Sequence, residues 1–377
     1  MSMFTSLYPE SHQVRNVSDG APTRLSSQIP TLAEQMKQAG YGTIACTDGG
    51  NVNNALGFAK GFDMYGETGA EQFVSLVKIQ PQQPWFSFLH TYWVHDPYIV
   101  PNPFYKFFDR DYSGGIKGNL EDYNVQANYF GVASFRTKFW DTVDFTKKRD
   151  REHLVNLYDS AIRMIDLSLR GLLNLLDEME IKDNTILIIT SDHGEEFFEH
   201  SRILHERLYS ETLQVPLLFI DFRDQKPGRL IETPVQLVDI APTLLDYLEL
   251  PPLPGAQGAS LKAGLMGKKL EDRVYYSIAS APYNSRMTGK GPWKYIINPN
   301  RVPSNNDAWV LGLPRPSVPT EELYNLNDDP GETTNVTTDH PEILKEMQEL
   351  TVEHSERMKS VADQYTRETA QVDDNAM

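Results

Sequence analysis

A single cysteine, Cys46, in 377 residues leaves no material for a disulfide framework. That fits a reducing compartment without requiring one. Cys46 closes the apolar run Thr43-Ile44-Ala45 and is expected to be a small core residue. No apolar run approaches the roughly 18 residues of a membrane-spanning helix, and no basic stretch leads into an apolar core at the start, so neither a transmembrane segment nor a signal peptide is visible. Localisation stays open. Basic residues are scarce, 35 Lys and Arg against 52 Asp and Glu, giving a formal charge of −17. Phosphate backbones would be repelled over most of such a surface, which excludes nucleic acid as a general partner. An anionic substrate would need a local cationic site. Internal repeats are absent, and the sequons at Asn16 and Asn335 carry meaning only in a secreted eukaryotic protein.

What is present is a globular body: hydrophobic residues make up 40% and charged residues 23%, enough to bury a large core. Its most informative stretch is Thr185-Ile186-Leu187-Ile188-Ile189-Thr190 running into Ser191-Asp192-His193-Gly194-Glu195-Glu196. The β-branched run predicts a strand buried on both faces, as in a parallel sheet covered by helices. Ligands gather at the carboxyl ends of such strands, where Asp192 and His193 emerge. A carboxylate and an imidazole suit a divalent cation, and Gly194 lets the backbone turn beside it. On this stretch alone Asp192 could equally cap a helix.

Around it the pattern alternates helix and strand. A helix is predicted over 31–39, ended by Gly40, and a strand over 43–47. "PWFSFLHTYWV" reads as a second buried strand with His90 within it, as a satisfied core histidine, and His95 at its tip. Residues 97–148 are aromatic and weakly periodic, the mark of a lid or substrate loop. A long amphipathic helix over 151–179 leads to strand 185–190, followed by a strand at 215–221 and a helix over 234–250. Antiparallel strands over 273–298 and a helix near 340–361 form a smaller C-terminal part, and the polar tail after Arg367 is expected to be disordered. The expected fold is α/β, a mainly parallel sheet sandwiched by helices with an antiparallel α+β appendage. Expected divisions are 1–265, 266–363 and a tail at 364–377.

"YDSAIRMIDLSLRGLLNLLDEMEIKDNTILIITSDHGEEF" resembles the sulfatase family of the alkaline-phosphatase-like superfamily, in which a helix leads to a strand ending in a metal-binding Asp-His or Asp-Asn pair. "IPTLAEQMKQAGYGTIACTDGG", "FSFLHTYWVHDPY", "LHERLYSETLQVPLLF", "PVQLVDIAPTLLDYLEL" and "GPWKYIINP" with "EELYNLNDDPGETTNV" are similar to further landmarks of that family, in its order. The resemblance implies metal ligation by Asp192 and His193, with calcium, magnesium or manganese favoured by the carboxylate and manganese, iron or zinc by the imidazole. It also implies that His95 contacts the substrate and that His205 touches the sulfate or protonates the leaving group. His200 and Lys294 are weaker candidates for substrate binding, and Glu195 and Glu196 are expected to hydrogen-bond beside the metal loop.

Ser2-Met3-Phe4-Thr5 corresponds to the end of the family's nucleophile motif. The nucleophile and further carboxylate ligands are therefore expected upstream of Met1, and the 377-residue chain alone is expected to be nearly inactive. Three functions are open: cleavage of sulfate esters on an anionic small molecule or glycan, a phosphoryl-group activity such as phosphonate monoester hydrolysis or phosphoethanolamine transfer, and non-catalytic binding. Oligomeric state is not legible.

Overall fold

The computed structural model describes residues 1–15, 22–67, 84–123, 133–224, 228–280, 283–300, 309–310, 313–314 and 317–369. The Asn16 sequon lies outside these residues. The chain enters through a single helical turn, α1 (Ser2–Thr5). Helix α2 (Leu32–Gln38) begins with a capping box: the Glu34 N–H donates to Thr31 Oγ1 at 3.2 Å and the Thr31 N–H donates to Glu34 Oε2 at 2.9 Å. Gly40, at φ +88°, turns the chain out of it.

Strands β1 (Gly42–Cys46), β2 (Met64–Gly66) and β3 (Trp85–Leu89) form a parallel sheet in the order β2-β1-β3. Alternation along β3 divides its side chains between two layers. Trp85 and Leu89 pack with Cys46, Leu172 and Met179 on one side, while Phe86 and Phe88 pack with Phe4, Leu32, Met36 and Leu244 on the other. Cys46 is 1% exposed, a core residue as its context predicts.

Residues 97–148 hold short turns and the helix α3 (Ala133–Trp140), with 124–132 outside the described residues. This segment is not merely a loop. Tyr98, Ile99, Val100, Tyr112, Ile116, Phe139 and Trp140 make a core of their own against Leu154, Leu157 and Ala161 of α4 (Lys148–Glu178).

After α4 comes β4 (Ile186–Thr190), then the single turn α5 (Ser210–Leu213) and β5 (Leu217–Asp221). β5 pairs with β4 antiparallel, Ile186 opposite Asp221 and Thr190 opposite Leu217. An apolar run fixes a strand and its face but not its direction, which depends on the path of the intervening chain. Two further expectations change. β4 is half-buried along its length instead of fully enclosed, and the helix expected over 234–250 is a 3₁₀ turn at Leu237–Asp239 followed by α6 (Ile240–Tyr247). Ile186 and Ile188 share the core of Phe86, Phe88 and Leu244, so β3 and β4 lie under the same helices.

The C-terminal part is an antiparallel sheet of β6 (Tyr275–Ile278), β7 (Arg286–Lys290), β8 (Trp293–Ile297) and β9 (Glu321–Asn325), in the order β9-β8-β7-β6, covered by α7 (Pro341–Ala362). Tyr295 and Leu323 face Met347 of α7. The tail begins not as disorder but as a two-residue ladder, Glu368–Thr369 on Thr23–Arg24, and residues 370–377 lie outside the described set.

Candidate active site

The carboxyl ends of β1, β3 and β4 deliver Asp48, His90 and Asp192 toward one region, where parallel-sheet architecture leaves its crevice. Two further loops bring His95 and His205. Ring nitrogens of His95, His193 and His205 all lie within 4.8 Å of one another. The rings of His193 and His205 stack at 4.0 Å and 25°, with His95 edge-on at 5.2 Å from His205 and 6.1 Å from His193. The convergence of Asp192, His193, His95 and His205 expected from their positions after strands is thus present.

Each of the three histidines is held through Nδ1, which aims Nε2 into shared space. His95 Nδ1 bonds the Asp96 carbonyl at 2.7 Å, His193 Nδ1 the Gly194 carbonyl at 2.8 Å, and His205 Nδ1 the Glu195 carboxylate at 3.0 Å. An acceptor at Nδ1 fixes the tautomer and the ring plane. Glu195 therefore has the hydrogen-bonding role read for it, and Glu196 is buried in an ion pair with Arg207 at 2.7 Å.

The electrostatics divide the cluster. Burial lowers the pKa of His193, and the neighbouring charge of His205 lowers it further. Burial also opposes charge on His205. There the Glu195 hydrogen bond and charge, with Asp96 and Asp192, outweigh it and raise the pKa. Burial acts to raise Asp192, but His193, His90 and a backbone bond prevail and hold its pKa below the ordinary carboxylate value. Its side chain is 65% exposed, so solvent reaches it through an open cleft although protein surrounds it.

Asp192 and His193 fit a divalent cation. Asp192 Oδ2 and His193 Nε2 stand 3.8 Å apart, a span that two bonds of about 2.0–2.2 Å to one ion can bridge. All three histidines on one ion fit less well. Lone pairs lie in the ring planes, so face-to-face rings direct them side by side instead of at one point. Only a doubly protonated ring offers an Nε2–H to an anion, and His205, held by the Glu195 carboxylate, is the one placed to carry it.

Two predicted residues are placed elsewhere. His200 stacks on Tyr209 at 3.7 Å with Nε2 3.5 Å from Glu211. Lys294, 2% exposed, is ion-paired to Glu332 at 2.6 Å. Burial lowers its pKa against the opposing pull of Glu332. Neither contacts the histidine cluster, and Lys294 has no free charge to offer a substrate.

The sequence reading missed two others. His90 is not a satisfied core histidine: its Nδ1 is buried without a hydrogen-bond partner, and its ring feels Asp192 and Asp48. Asp48, which accepts the Tyr92 N–H at 2.8 Å, follows β1 just as Asp192 follows β4. Its position after a strand was the available signal.

The sulfatase family model matches residues 61–250, half of the chain. The chain belongs to the sulfatase family. It is 28% identical to arylsulfatase K of Gallus gallus over 221 residues, 55% of the chain and 38% of that protein, and 30% identical to arylsulfatase K of Mus musculus over 189 residues, 47% and 31%. It thus spans well under half the length of these relatives. Against the Delta 4,5-hexuronate-2-O-sulfatase of Bacteroides thetaiotaomicron the identity is 24% over 393 residues, covering 95% of the chain and 78% of that protein. A protein solved with its substrate D-glucosamine-2-N,6-O-disulfate superposes with a TM-score of 0.72 at 16% identity, covering 95% of this chain and 87% of that one. The phosphonate monoester hydrolase of Silicibacter pomeroyi gives 0.71 at 16%, covering 99% and 89%. At such identities these two structures establish the shared fold alone.

Proposed function

We propose that the protein is a hydrolase of sulfate esters on an anionic small molecule or glycan, working with a divalent cation on Asp192 and His193. The observation that carries this reading is the histidine cluster beside Asp192, with ring nitrogens of His95, His193 and His205 within 4.8 Å of one another. In this reading His205 binds a sulfate oxygen through its Nε2–H, and His95 contacts the substrate beside it. His205, whose proton the Glu195 hydrogen bond and charge favour, would then give that proton to the departing ester oxygen as an incoming oxygen takes its place on sulfur, the work of a general acid. His193, whose pKa is lowered, and the ionised Asp192 hold the cation. When bound, that ion would neutralise charge growing on the transferred group, a Lewis-acid role worth several kcal/mol. Asp96 fixes the His95 ring through its carbonyl. We assign the sulfatase-like core to residues 1–265 and the smaller part to 266–363. The hexuronate-2-O-sulfatase relative, aligned over 95% of the chain, favours a sulfated uronic-acid glycan as the substrate class.

The phosphonate monoester hydrolase among the structural neighbours makes phosphoryl transfer the second reading. The test is turnover by the full-length protein, with manganese or calcium, of 4-nitrophenyl sulfate, a 2-O-sulfated uronate disaccharide, bis-4-nitrophenyl phosphate and a phenyl phosphonate monoester. Sulfate release that Asp192→Ala abolishes is the expected result. Faster cleavage of the phosphonate would select the second reading, and binding without turnover of any substrate would make this a non-catalytic protein.

A further inference from the structure

The buried pair Lys294–Glu332 lies in the C-terminal part, outside the histidine cluster, yet it joins a chain of bonds that ends there. Lys294 Nζ is 2.6 Å from Glu332 Oε1, and Glu332 Oε2 accepts the Ser210 N–H at 2.6 Å. Ser210 opens α5, whose Glu211 and Thr212 carbonyls accept the N–H groups of Glu195 at 3.0 Å and Gly194 at 2.8 Å. Glu195 in turn holds His205 Nδ1 at 3.0 Å. The approach of α5 to the loop is so close that a Cβ at Gly194 would stand 2.0 Å from the Glu211 carbonyl oxygen.

We infer that Glu332 is a positioning residue: by anchoring the Ser210 N–H it seats α5, and α5 sets the Gly194–Glu195 backbone, which directly follows Asp192 and His193 and whose Glu195 side chain orients His205. Lys294 neutralises the Glu332 carboxylate so that it can sit at 1% exposure. The inference takes from the proposed function only the importance of the 192–195 loop.

Two double variants separate anchoring from charge. Lys294→Met with Glu332→Gln keeps an oxygen for the Ser210 N–H, whereas Lys294→Met with Glu332→Leu removes it. Both lack the charged pair, and Glu211 and Glu322, which also feel Lys294, are unchanged in both. Amide hydrogen exchange, followed by mass spectrometry on peptides spanning 191–197, reads the loop whether or not any substrate turns over. Exchange about tenfold faster in the Leu variant, with the Gln variant close to the native protein, is expected from the loss of the one buried hydrogen bond to the Ser210 N–H, which the Gln amide oxygen still accepts. kcat should fall by a similar factor in the Leu variant with KM for 4-nitrophenyl sulfate little changed. If the Leu variant does not fold, Ser210→Pro removes the same N–H at a first-turn position that accepts proline, after a Tyr209 already extended at ψ 168°. It should speed exchange in 191–197 as well. Equal exchange in the two double variants, or native exchange in Ser210→Pro, overturns the proposal. Native-like exchange with no turnover of any substrate would count against the sulfatase reading instead.

Discussion

Two ion pairs fasten the site to its surroundings, one on the side of residues 97–148 and one on the side of the C-terminal sheet. On the first, Asp96 next to His95 takes hydrogen bonds from Arg136 Nε at 2.5 Å and Trp140 Nε1 at 3.1 Å. On the second, Glu332 holds α5 and is paired with Lys294. The carboxylates are equally enclosed, at 1% and 0% side-chain exposure, but the cations differ: Arg136 is 42% exposed and Lys294 only 3%. Removing either cation strands an enclosed carboxylate. A cation that water reaches attracts its partner through a screened field, so its loss removes less than the loss of an enclosed one. The comparison assigns a fixed scaffold to the C-terminal side and a looser wall to the other.

The largest effect belongs to neither pair. His205→Ala should lower kcat on sulfate esters by about 10²- to 10⁴-fold, and Asp192→Ala by at least as much at saturating manganese, with melting temperatures near native in both. A thermal midpoint that falls in step with activity would mean these residues hold the loop and do no chemistry. Lys294→Ala comes next. It strands Glu332 in the interior and should destabilise the protein by about 3–5 kcal/mol in urea titrations. A loss no greater than that of Arg136→Ala would erase the contrast between the two sides.

Enclosure on the C-terminal side also imposes a pH dependence. His354 stacks on Tyr276 at 3.6 Å and 12°, and burial, with the nearby Arg357 and Arg286, pushes its pKa down to about 4. Its folded pKa lies below the unfolded value of about 6.5, so the unfolded chain takes up the proton first. The neutral ring therefore supports the fold fully above pH 6.5 and progressively less as the pH falls toward 4. His354→Phe should flatten the decline of the urea midpoint between pH 6.5 and 4.5, by about 1–2 kcal/mol over that window. An equally steep decline in the variant would show that other groups carry the acid sensitivity.

These contrasts mark what the sequence could reveal. The helix read over 31–39, the strands at 43–47 and 185–190 and the C-terminal hairpins are all present, because capping residues and apolar periodicity are local signals. The meeting of Asp192, His193, His95 and His205 was legible for a related reason: the segments that leave the carboxyl ends of β3 and β4 open on one side of the fold. Lys294 was not. Between Trp293 and Tyr295 it reads as an outward residue of an alternating strand, and the partner that buries it, Glu332, lies far along the chain beyond β9. His200 likewise follows the metal loop in sequence, yet it turns to Tyr209 and Glu211. The direction of β5 and the unpaired Nδ1 of His90 depend on the packing of distant segments, to which no local pattern points.

Arg136→Ala should have the smallest effect. Asp96 is left enclosed, as Glu332 is when Lys294 goes, but it keeps the Trp140 Nε1–H, and the guanidinium lost is 42% exposed, so its attraction is already weakened by water and the cost in stability should be smaller than that of Lys294→Ala. The sharper test is salt. A half-exposed pair is screened as the Debye length shrinks from about 10 Å at 0.1 M to about 3 Å at 1 M, whereas an enclosed pair is screened much less. Urea midpoints of the native protein, Arg136→Ala and Lys294→Ala should therefore be compared at 0.1 M and 1 M sodium chloride. The Arg136 difference should shrink toward zero at high salt while the Lys294 difference persists. If both shrink together, water reaches the Lys294–Glu332 pair as freely as it reaches Arg136, and the two sides of the site are fastened alike.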